Sequence, residues 1–272
     1  MVDKGWNVVI THGNGPQVGF LLRRAEISAD ELPLIPLEII GADTQGAIGY
    51  MIQQSLYNEF KKRRINCKAV TLVTQVKVSK DDLAFQNPTK PIGGFMSKKE
   101  AKKHAYEDGW NVVEDAGRGW RRVVPSPIPQ EIIEKDAINN LVNNGFVVIC
   151  VGGGGIPVIE ERGSLKGVAA VIDKDYASSL LASDIGADLL LISTAVEKVS
   201  LNFGTKNQVD LNKMTLMEAK KYLKEGHFSP GSMGPKITAI INFLERGGEE
   251  ALITCSEKIR EALNGKTGTK SK

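Results

Sequence analysis

Cysteine and histidine are scarce in this sequence, and neither occurs in a metal-binding pattern. The 272 residues contain three cysteines and three histidines, scattered along the chain with no CxxC or HExxH spacing. Zinc sites in proteins depend on such closely spaced ligands. The sequence therefore disfavours a metal held by cysteine or histidine, and the odd number of scattered cysteines disfavours a disulfide framework.

Long apolar runs and an excess of charge of one sign are also lacking. No stretch approaches the roughly 18 apolar residues that could span a bilayer, and residues 1–5 lack the apolar core of a signal peptide. We therefore expect a cytoplasmic protein. With 35 basic and 32 acidic residues the net charge is only +3, so no general field attracts nucleic acid or a membrane surface. Any anion-binding site must be local.

What the chain does contain is a regular alternation of strand-like and helical patterns. Apolar, β-branched runs predict strands at residues 6–11, 68–76, 146–151, 188–193 and 251–254. Helical spacing of apolar residues predicts helices at 17–25, 46–64, 131–143, 175–185, 215–225 and 236–246. This order is typical of an α/β fold with a mostly parallel sheet covered on both faces. The polar tail, residues 264–272, is expected to be loose.

The sequence predicts an inserted subdomain and a boundary between two lobes. Residues 79–127 are rich in proline, glycine, aromatic and charged residues and are too long for a plain connection, which predicts an inserted lid subdomain. A lobe boundary is expected near Ile172, giving lobes at residues 1–172 and 173–272.

Glycine-rich turns follow two of the predicted strands. In open α/β sheets ligands collect where parallel strands end, so these turns are the first candidates for a binding site. The loop from His12 to Pro16 could aim backbone amides at an anion, although a simple tight turn explains it too. The four glycines of residues 152–155 favour close approach of a ligand to the backbone. Neither turn matches GxxxxGK[ST] or GxGxxG.

Two lysines lie where phosphoryl transfer could use them. Such transfer needs positive charge on the migrating group more than it needs a nucleophilic side chain. Lys174 stands between Asp173 and Asp175, and Lys236 follows the string GSMGP and opens a predicted helix. A single lysine is more often a solvated surface group, but these positions favour a function.

Other side chains have two interpretations each. Arg118, Arg121 and Arg122 could grip phosphate or carboxylate, or could form salt bridges with Glu114 and Asp115 on the lid. Met233 could contact a purine or fill a gap in the core.

Seven strings in one order closely resemble the carbamate kinase family of the amino acid kinase superfamily. They are THGNGPQVG (11–19), VTQV (73–76), NPTKPIG (87–93), EDAGRGWRRVVPSP (114–127), GGGGIPV (152–158), AVIDKD (170–175) and GHFSPGSMGPK (226–236). The likeness extends from Trp6 to about Thr269.

The resemblance implies a three-layer αβα sandwich with a mostly parallel central sheet and a protruding inserted subdomain. Its amino-terminal lobe would bind carbamate or carbamoyl phosphate, and its carboxy-terminal lobe ADP or ATP with Mg²⁺ held mainly by phosphate oxygens. The family is typically homodimeric.

The residues implied at the carboxylate and phosphoryl group are Gly13, Asn14, Gly15, Gly153 and Gly154. Lys174 and Lys236 would neutralise charge, Asp173 would orient them, and Lys90 would reach in from the subdomain. The residues implied at the nucleotide are Thr194, Ala195, Val196, Glu197, Met233 and Lys236.

The family begins with a further strand, a Gly-Gly-Asn turn and a helix ahead of the part that matches from Lys4. That strand would pair beside residues 6–11. We expect it to be needed for stability and turnover, because an unpaired strand inside a sheet leaves polar backbone groups without partners.

Two other functions remain open from the sequence. The chain could be a sister kinase acting on another small carboxylate, or a non-catalytic nucleotide-binding homologue. A carbamate kinase could serve arginine fermentation or the breakdown of purines and allantoin.

Overall fold

The computed structural model describes residues 1–115 and 117–272. The chain divides into two compact units, Met1–Ala177 and Ser178–Lys272. Ala116, inside the predicted insertion, lies outside the described residues.

The described residues of the first unit form three small sheets. Its strands are β1 (Val9–Ile10), β2 (Lys68–Thr71), β3 (Gln75–Val78), β4 (Lys90–Met96), β5 (Asn111–Glu114), β6 (Trp120–Val124), β7 (Pro129–Ile132), β8 (Phe146–Ile149), β9 (Ile156–Glu161) and β10 (Ser164–Gly167). Its helices are α1 (Gly15–Ile27), α2 (Leu37–Arg63), α3 (Lys98–Glu107) and α4 (Lys135–Asn143), and α5 (Lys174–Asp184) begins in this unit.

The sheet that positions the glycine turns has the order β1-β8-β2 with all strands parallel. Its centre is β8, where Val148 and Ile149 are fully buried. Ile10 at the end of β1 pairs with Ile149 at the end of β8. Because both strands end at the same edge, the turns that follow them are brought together there.

A mixed sheet of order β10-β9-β3-β7 completes this region, with β3 parallel to β9. The helix α2 packs against β2, since an ideal Cβ on Gly49 would overlap the side chain of Thr71. Its buried positions Leu37, Ile40, Thr44 and Ile48 recur at helical spacing, and its last turn is basic, as suits the negative end of a helix.

The predicted insertion contains a three-stranded antiparallel sheet of order β4-β6-β5 and the helix α3. A capping box between Ser97 and Glu100 begins α3. Asp115 forms ion pairs with Arg118 at 2.8 Å and Arg121 at 3.4 Å. For Arg118 and Arg121, these ion pairs match the second of the two interpretations that the sequence left open, salt bridges within the insertion.

Arg122 lies over the ring of Trp110, with 4.6 Å from its guanidinium carbon to the ring centroid. His104 stacks on Trp110 with 4.3 Å between ring centroids. Trp110 is thus the centre of a small cluster with His104 and Arg122 within the insertion.

The second unit contains a sheet of order β11-β15-β16-β14 and a hairpin of β12 and β13. Its strands are β11 (Leu189–Thr194), β12 (Val199–Leu201), β13 (Val209–Leu211), β14 (Lys213–Met214), β15 (Glu250–Cys255) and β16 (Thr269–Ser271), and its helices are α6 (Leu216–Lys224), α7 (Met233–Glu245) and α8 (Ile259–Leu263). The strands β11 and β15 are parallel and end side by side.

Several expectations about single elements are wrong. The polar tail is not loose, because β16 pairs with β15 and β14 and buries Thr269 and Ser271. The start of the helix predicted at 131–143 belongs to β7. The strand predicted at 68–76 is two strands, β2 and β3, in different sheets. The strand predicted at 6–11 is shortened to β1.

Among the described residues, every helix falls short of the length and apolar character that crossing a bilayer would require.

Candidate active site

Free backbone donors lie in the turn between β1 and α1. Within the described part of the chain, the N–H groups of Gly13, Asn14 and Gly15 donate no hydrogen bond. The helix α1 begins at Gly15, so the positive end of its dipole adds to these donors. Together they form an arrangement suited to an anion.

The ammonium of Lys174 lies beside the same turn. An ideal Cβ on Gly13 would be 3.3 Å from Lys174 Cδ and 3.9 Å from its Nζ, so the glycine leaves room for the lysine side chain. Lys174 is the first residue of α5 and lies 3.9 Å from a carboxylate oxygen of Asp175. Amide donors and a positive charge therefore converge at Gly13.

The Gly152–Gly155 turn packs tightly against its surroundings. A Cβ on Gly153 would overlap the amide of Asn14, and one on Gly154 would overlap the carbonyl of Ile172. The N–H of Gly153 donates to the carbonyl of His12 at 2.7 Å, and that of Gly154 donates to Val151 at 3.1 Å. These two glycines thus allow close approach, whereas the free amides come from Gly13, Asn14 and Gly15.

The carboxylate of Asp173 accepts hydrogen bonds from both Lys90 and the backbone of Asp175. One carboxylate oxygen accepts from Lys90 Nζ at 2.8 Å, and the other accepts from the backbone N–H of Asp175 at 2.9 Å. The second contact caps the start of α5. The structure thus joins the insertion, through Lys90, to the segment that carries Lys174.

The imidazole of His12 is partly buried against the Gly152–Gly155 turn, where a Cβ on Gly152 would overlap it. Burial lowers the pKa of His12 below its ordinary value of 6.5, and the contact of Nδ1 with the Gly13 carbonyl at 3.0 Å opposes this only in part. The ring is therefore neutral at neutral pH.

This predicts a pH dependence of stability. Because the folded state binds the proton less tightly than the unfolded chain, the contribution of His12 is fully present above about pH 6.5 and is lost as the pH falls below it. We expect the Tm to fall more between about pH 7.5 and about pH 5 in the wild type than in His12→Gln. Equal slopes for wild type and His12→Gln would contradict the prediction.

Three buried polar residues near the site, Thr44, Gln45 and Thr74, were not identified from the sequence. Gln45 accepts from the Thr74 N–H at 2.7 Å and donates to the carbonyls of Thr74 and Gly152, each at 3.1 Å. Thr44 accepts from Asn14 Nδ2 at 2.9 Å. A signal was available, because Thr44 falls on the helical spacing of Leu37, Ile40 and Ile48, where a polar residue needs an internal partner.

The residues expected at the nucleotide lie in the second unit. Thr194 ends β11, and Ala195, Val196 and Glu197 form the turn toward β12. Met233 begins α7 and Lys236 lies in its first turn. The carboxylate of Glu197 accepts a hydrogen bond from the hydroxyl of Thr267, which fixes this turn against the segment before β16.

Among residues 1–115 and 117–272, no group of three or more histidine, cysteine, aspartate or glutamate side chains could hold a metal ion by itself.

Residues 1–255 match the model of the amino acid kinase family. The carbamate kinase of Pyrococcus horikoshii is 53% identical over 271 residues, covering 99% of this chain and 86% of that protein. The chain belongs to the carbamate kinase family. The carbamate kinase-like protein YahI of Escherichia coli is 52% identical, with 99% of this chain and 86% of that protein covered. The carbamate kinase from Giardia lamblia bound to AMP-PNP superposes with a TM-score of 0.93 at 45% identity, covering 99% of this chain and 86% of that one.

Membership in the carbamate kinase family confirms the resemblance inferred from the seven strings and the predicted α/β sandwich of the amino acid kinase fold. It also confirms that the chain is a phosphotransferase of the kinase class.

Proposed function

We propose that the protein catalyses the reversible transfer of a phosphoryl group from carbamoyl phosphate to ADP, forming carbamate and ATP. In this direction the bond between phosphorus and the carbamate oxygen breaks, and a bond between phosphorus and a β-phosphate oxygen of ADP forms. The observation that carries the proposal is the convergence of the free amides of Gly13, Asn14 and Gly15 with the ammonium of Lys174. Such donors stabilise charge on a migrating phosphoryl group.

The first unit supplies the carbamoyl phosphate site in this proposal. The amides of Gly13, Asn14 and Gly15 bind phosphoryl oxygens, and Lys174 neutralises their charge. Gly153 and Gly154 keep the opposite side of the site free of side chains. The ion pair of Lys90 with Asp173 lets the insertion place a second ammonium at the substrate.

The second unit supplies the nucleotide site. The turn formed by residues 194–197 and Met233 contacts the nucleoside, and Lys236 in the first turn of α7 faces its phosphates. Mg²⁺ would arrive with the nucleotide, held mainly by phosphate oxygens, and would neutralise part of their charge.

The protein is also proposed to act as a homodimer in the cytoplasm, where ADP and ATP are available. The long helix α2 exposes apolar side chains at Ile39, Tyr50, Met51 and Tyr57, which a second copy of the chain would cover. Arginine fermentation and the breakdown of purines and allantoin are the proposed settings of the reaction.

The competing function is a sister kinase for another small carboxylate. It is favoured by the 52% identity to the carbamate kinase-like protein YahI of Escherichia coli, against 53% to the carbamate kinase of Pyrococcus horikoshii. A non-catalytic nucleotide-binding homologue is the alternative from a different class.

ATP formation from ADP separates these functions. The full-length protein should form ATP rapidly from carbamoyl phosphate and at least tenfold more slowly from acetyl phosphate and other acyl phosphates, since the site must recognise the carbamoyl group. Faster turnover of another acyl phosphate would assign the sister activity. Binding of ADP in calorimetry without turnover of any acyl phosphate would assign the non-catalytic role.

A further inference from the structure

One glutamine joins three separate parts of the first unit. The side chain of Gln45, in α2, is only 1% exposed. Its Oε1 accepts from the N–H of Thr74, between β2 and β3, at 2.7 Å. Its Nε2 donates to the Thr74 carbonyl and to the Gly152 carbonyl, both at 3.1 Å. Both ends of the amide are therefore used, on two different turns.

The turn that Gln45 holds has no side chain of its own with which to anchor itself. Residues 152–155 are all glycine, and the preceding Val151 has a left-handed φ of +53°. That conformation is strained for a β-branched residue and persists only where neighbours enforce it. Thr74 supplies one such contact, because its hydroxyl accepts from the Val151 N–H at 3.0 Å. Gln45 in turn fixes Thr74.

We infer that Gln45 is a positioning residue for phosphoryl transfer, holding the Gly152–Gly155 turn against Asn14 and the free amides of the α1 turn. The inference rests on the proposed function of those amides. Displacement of the glycine turn by a fraction of an ångström would shift Asn14, whose amide lies against Gly153. Misplacement of about 1 Å at a reacting centre can lower a rate by roughly a hundredfold.

Residue 45 must both accept and donate hydrogen bonds, and an uncharged amide side chain provides both. A glutamate at position 45 could still accept from the Thr74 N–H, but its second oxygen would face two carbonyl oxygens when ionised. The neutral acid could donate to one of them. Burial beside carbonyls raises the pKa of such a carboxyl group, so the variant should regain its contact as the pH falls.

The chain offers a matched control on the same helix. Gln53 lies two turns further along α2. Among the described residues its side chain forms one hydrogen bond, in which Oε1 accepts from the N–H of Thr71 at 2.9 Å. A glutamate there keeps the acceptor. The same substitution therefore removes two donated hydrogen bonds at position 45, whereas at position 53 it removes a donor group that makes no hydrogen bond among the described residues.

The test compares Gln45→Glu with Gln53→Glu in the full-length protein, with ATP formation from carbamoyl phosphate and ADP as the readout. We expect Gln45→Glu to lower kcat between about tenfold and a hundredfold at about pH 8, while the Kd for ADP changes by less than about twofold. Its kcat relative to wild type should rise as the pH is lowered toward about 6. Gln53→Glu should keep kcat within about twofold of wild type at each pH.

A folded Gln45→Glu protein with wild-type kcat, or one whose deficit is independent of pH, would overturn the inference. If that variant does not fold, Gln45→Met keeps the length of the side chain without charge and should show the loss of kcat alone. Unfolding of Gln45→Met under conditions where Gln53→Glu stays folded would assign Gln45 to stability and also overturn it. A wild-type protein that forms no ATP refutes the proposed function instead, which is a distinct result.

Discussion

Replacing Lys174 by alanine is expected to lower kcat by about a hundredfold or more without unfolding the protein. The ammonium lies beside Gly13, where the free amides of the α1 turn converge. Its removal takes away a positive charge that stabilises the migrating phosphoryl group. The fold should tolerate the change, because a positive charge on the first residue of α5 opposes the helix dipole. Lys236→Ala, in the first turn of α7, should act in the same way.

The comparison that checks this prediction is steady-state ATP formation by Lys174→Ala and Lys135→Ala, with thermal unfolding of both. Lys135 is a suitable control because it is also the half-buried first residue of a helix, α4, while it has no place in the proposed mechanism. Lys135→Ala should keep kcat within about twofold of wild type. A Lys174→Ala protein with near-normal kcat would remove this residue from the mechanism.

The second large effect is expected for stability. Gly154→Ala should lower the free energy of unfolding by about 2–5 kcal/mol, because two costs add together. Gly154 has a left-handed φ of +98°, and a Cβ there would overlap the backbone carbonyl of the buried Ile172. Backbone cannot move aside as the end of a flexible side chain can, so the glycine turn or the segment before α5 must shift.

Gly163→Ala isolates the conformational part of this cost. Gly163 also has a left-handed φ, +77°, but nothing lies within 4 Å of an ideal Cβ. Its replacement should cost only about 1–2 kcal/mol. Denaturant unfolding of the two variants and the wild type measures both values. Equal losses for Gly154→Ala and Gly163→Ala would mean that the overlap with Ile172 is relieved without cost.

The sequence by itself determined which segments of the chain are the candidates for the chemistry. Glycine strings after strands, lysines beside them and a long insertion of different composition are local patterns, and each is recognisable without knowing what packs against it. The helices predicted from apolar spacing follow for the same reason, since that spacing and a cap such as Thr215 act within a few residues.

Only the tertiary structure decided how the glycines divide their roles. From the sequence, the four glycines of residues 152–155 are the stronger candidate for close approach of a ligand, and the loop from His12 to Pro16 could also be a simple tight turn. The N–H groups of Gly153 and Gly154 donate to His12 and Val151, whereas those of Gly13, Asn14 and Gly15 donate no hydrogen bond among the described residues. Which backbone groups are free depends on contacts between segments far apart in the chain, and no local pattern records them.

Contacts between segments far apart in the chain also explain why the polar tail is ordered and why Gln45 is buried. Composition predicts that residues 264–272 are solvated, yet β16 is buried because its backbone completes the ladder between β15 and β14. Gln45 is polar on a helix whose buried face is otherwise largely apolar, and its partners lie 29 and 107 residues further along the chain. A buried polar group is stable only when such partners are present, and their positions are set by the packing of the whole unit.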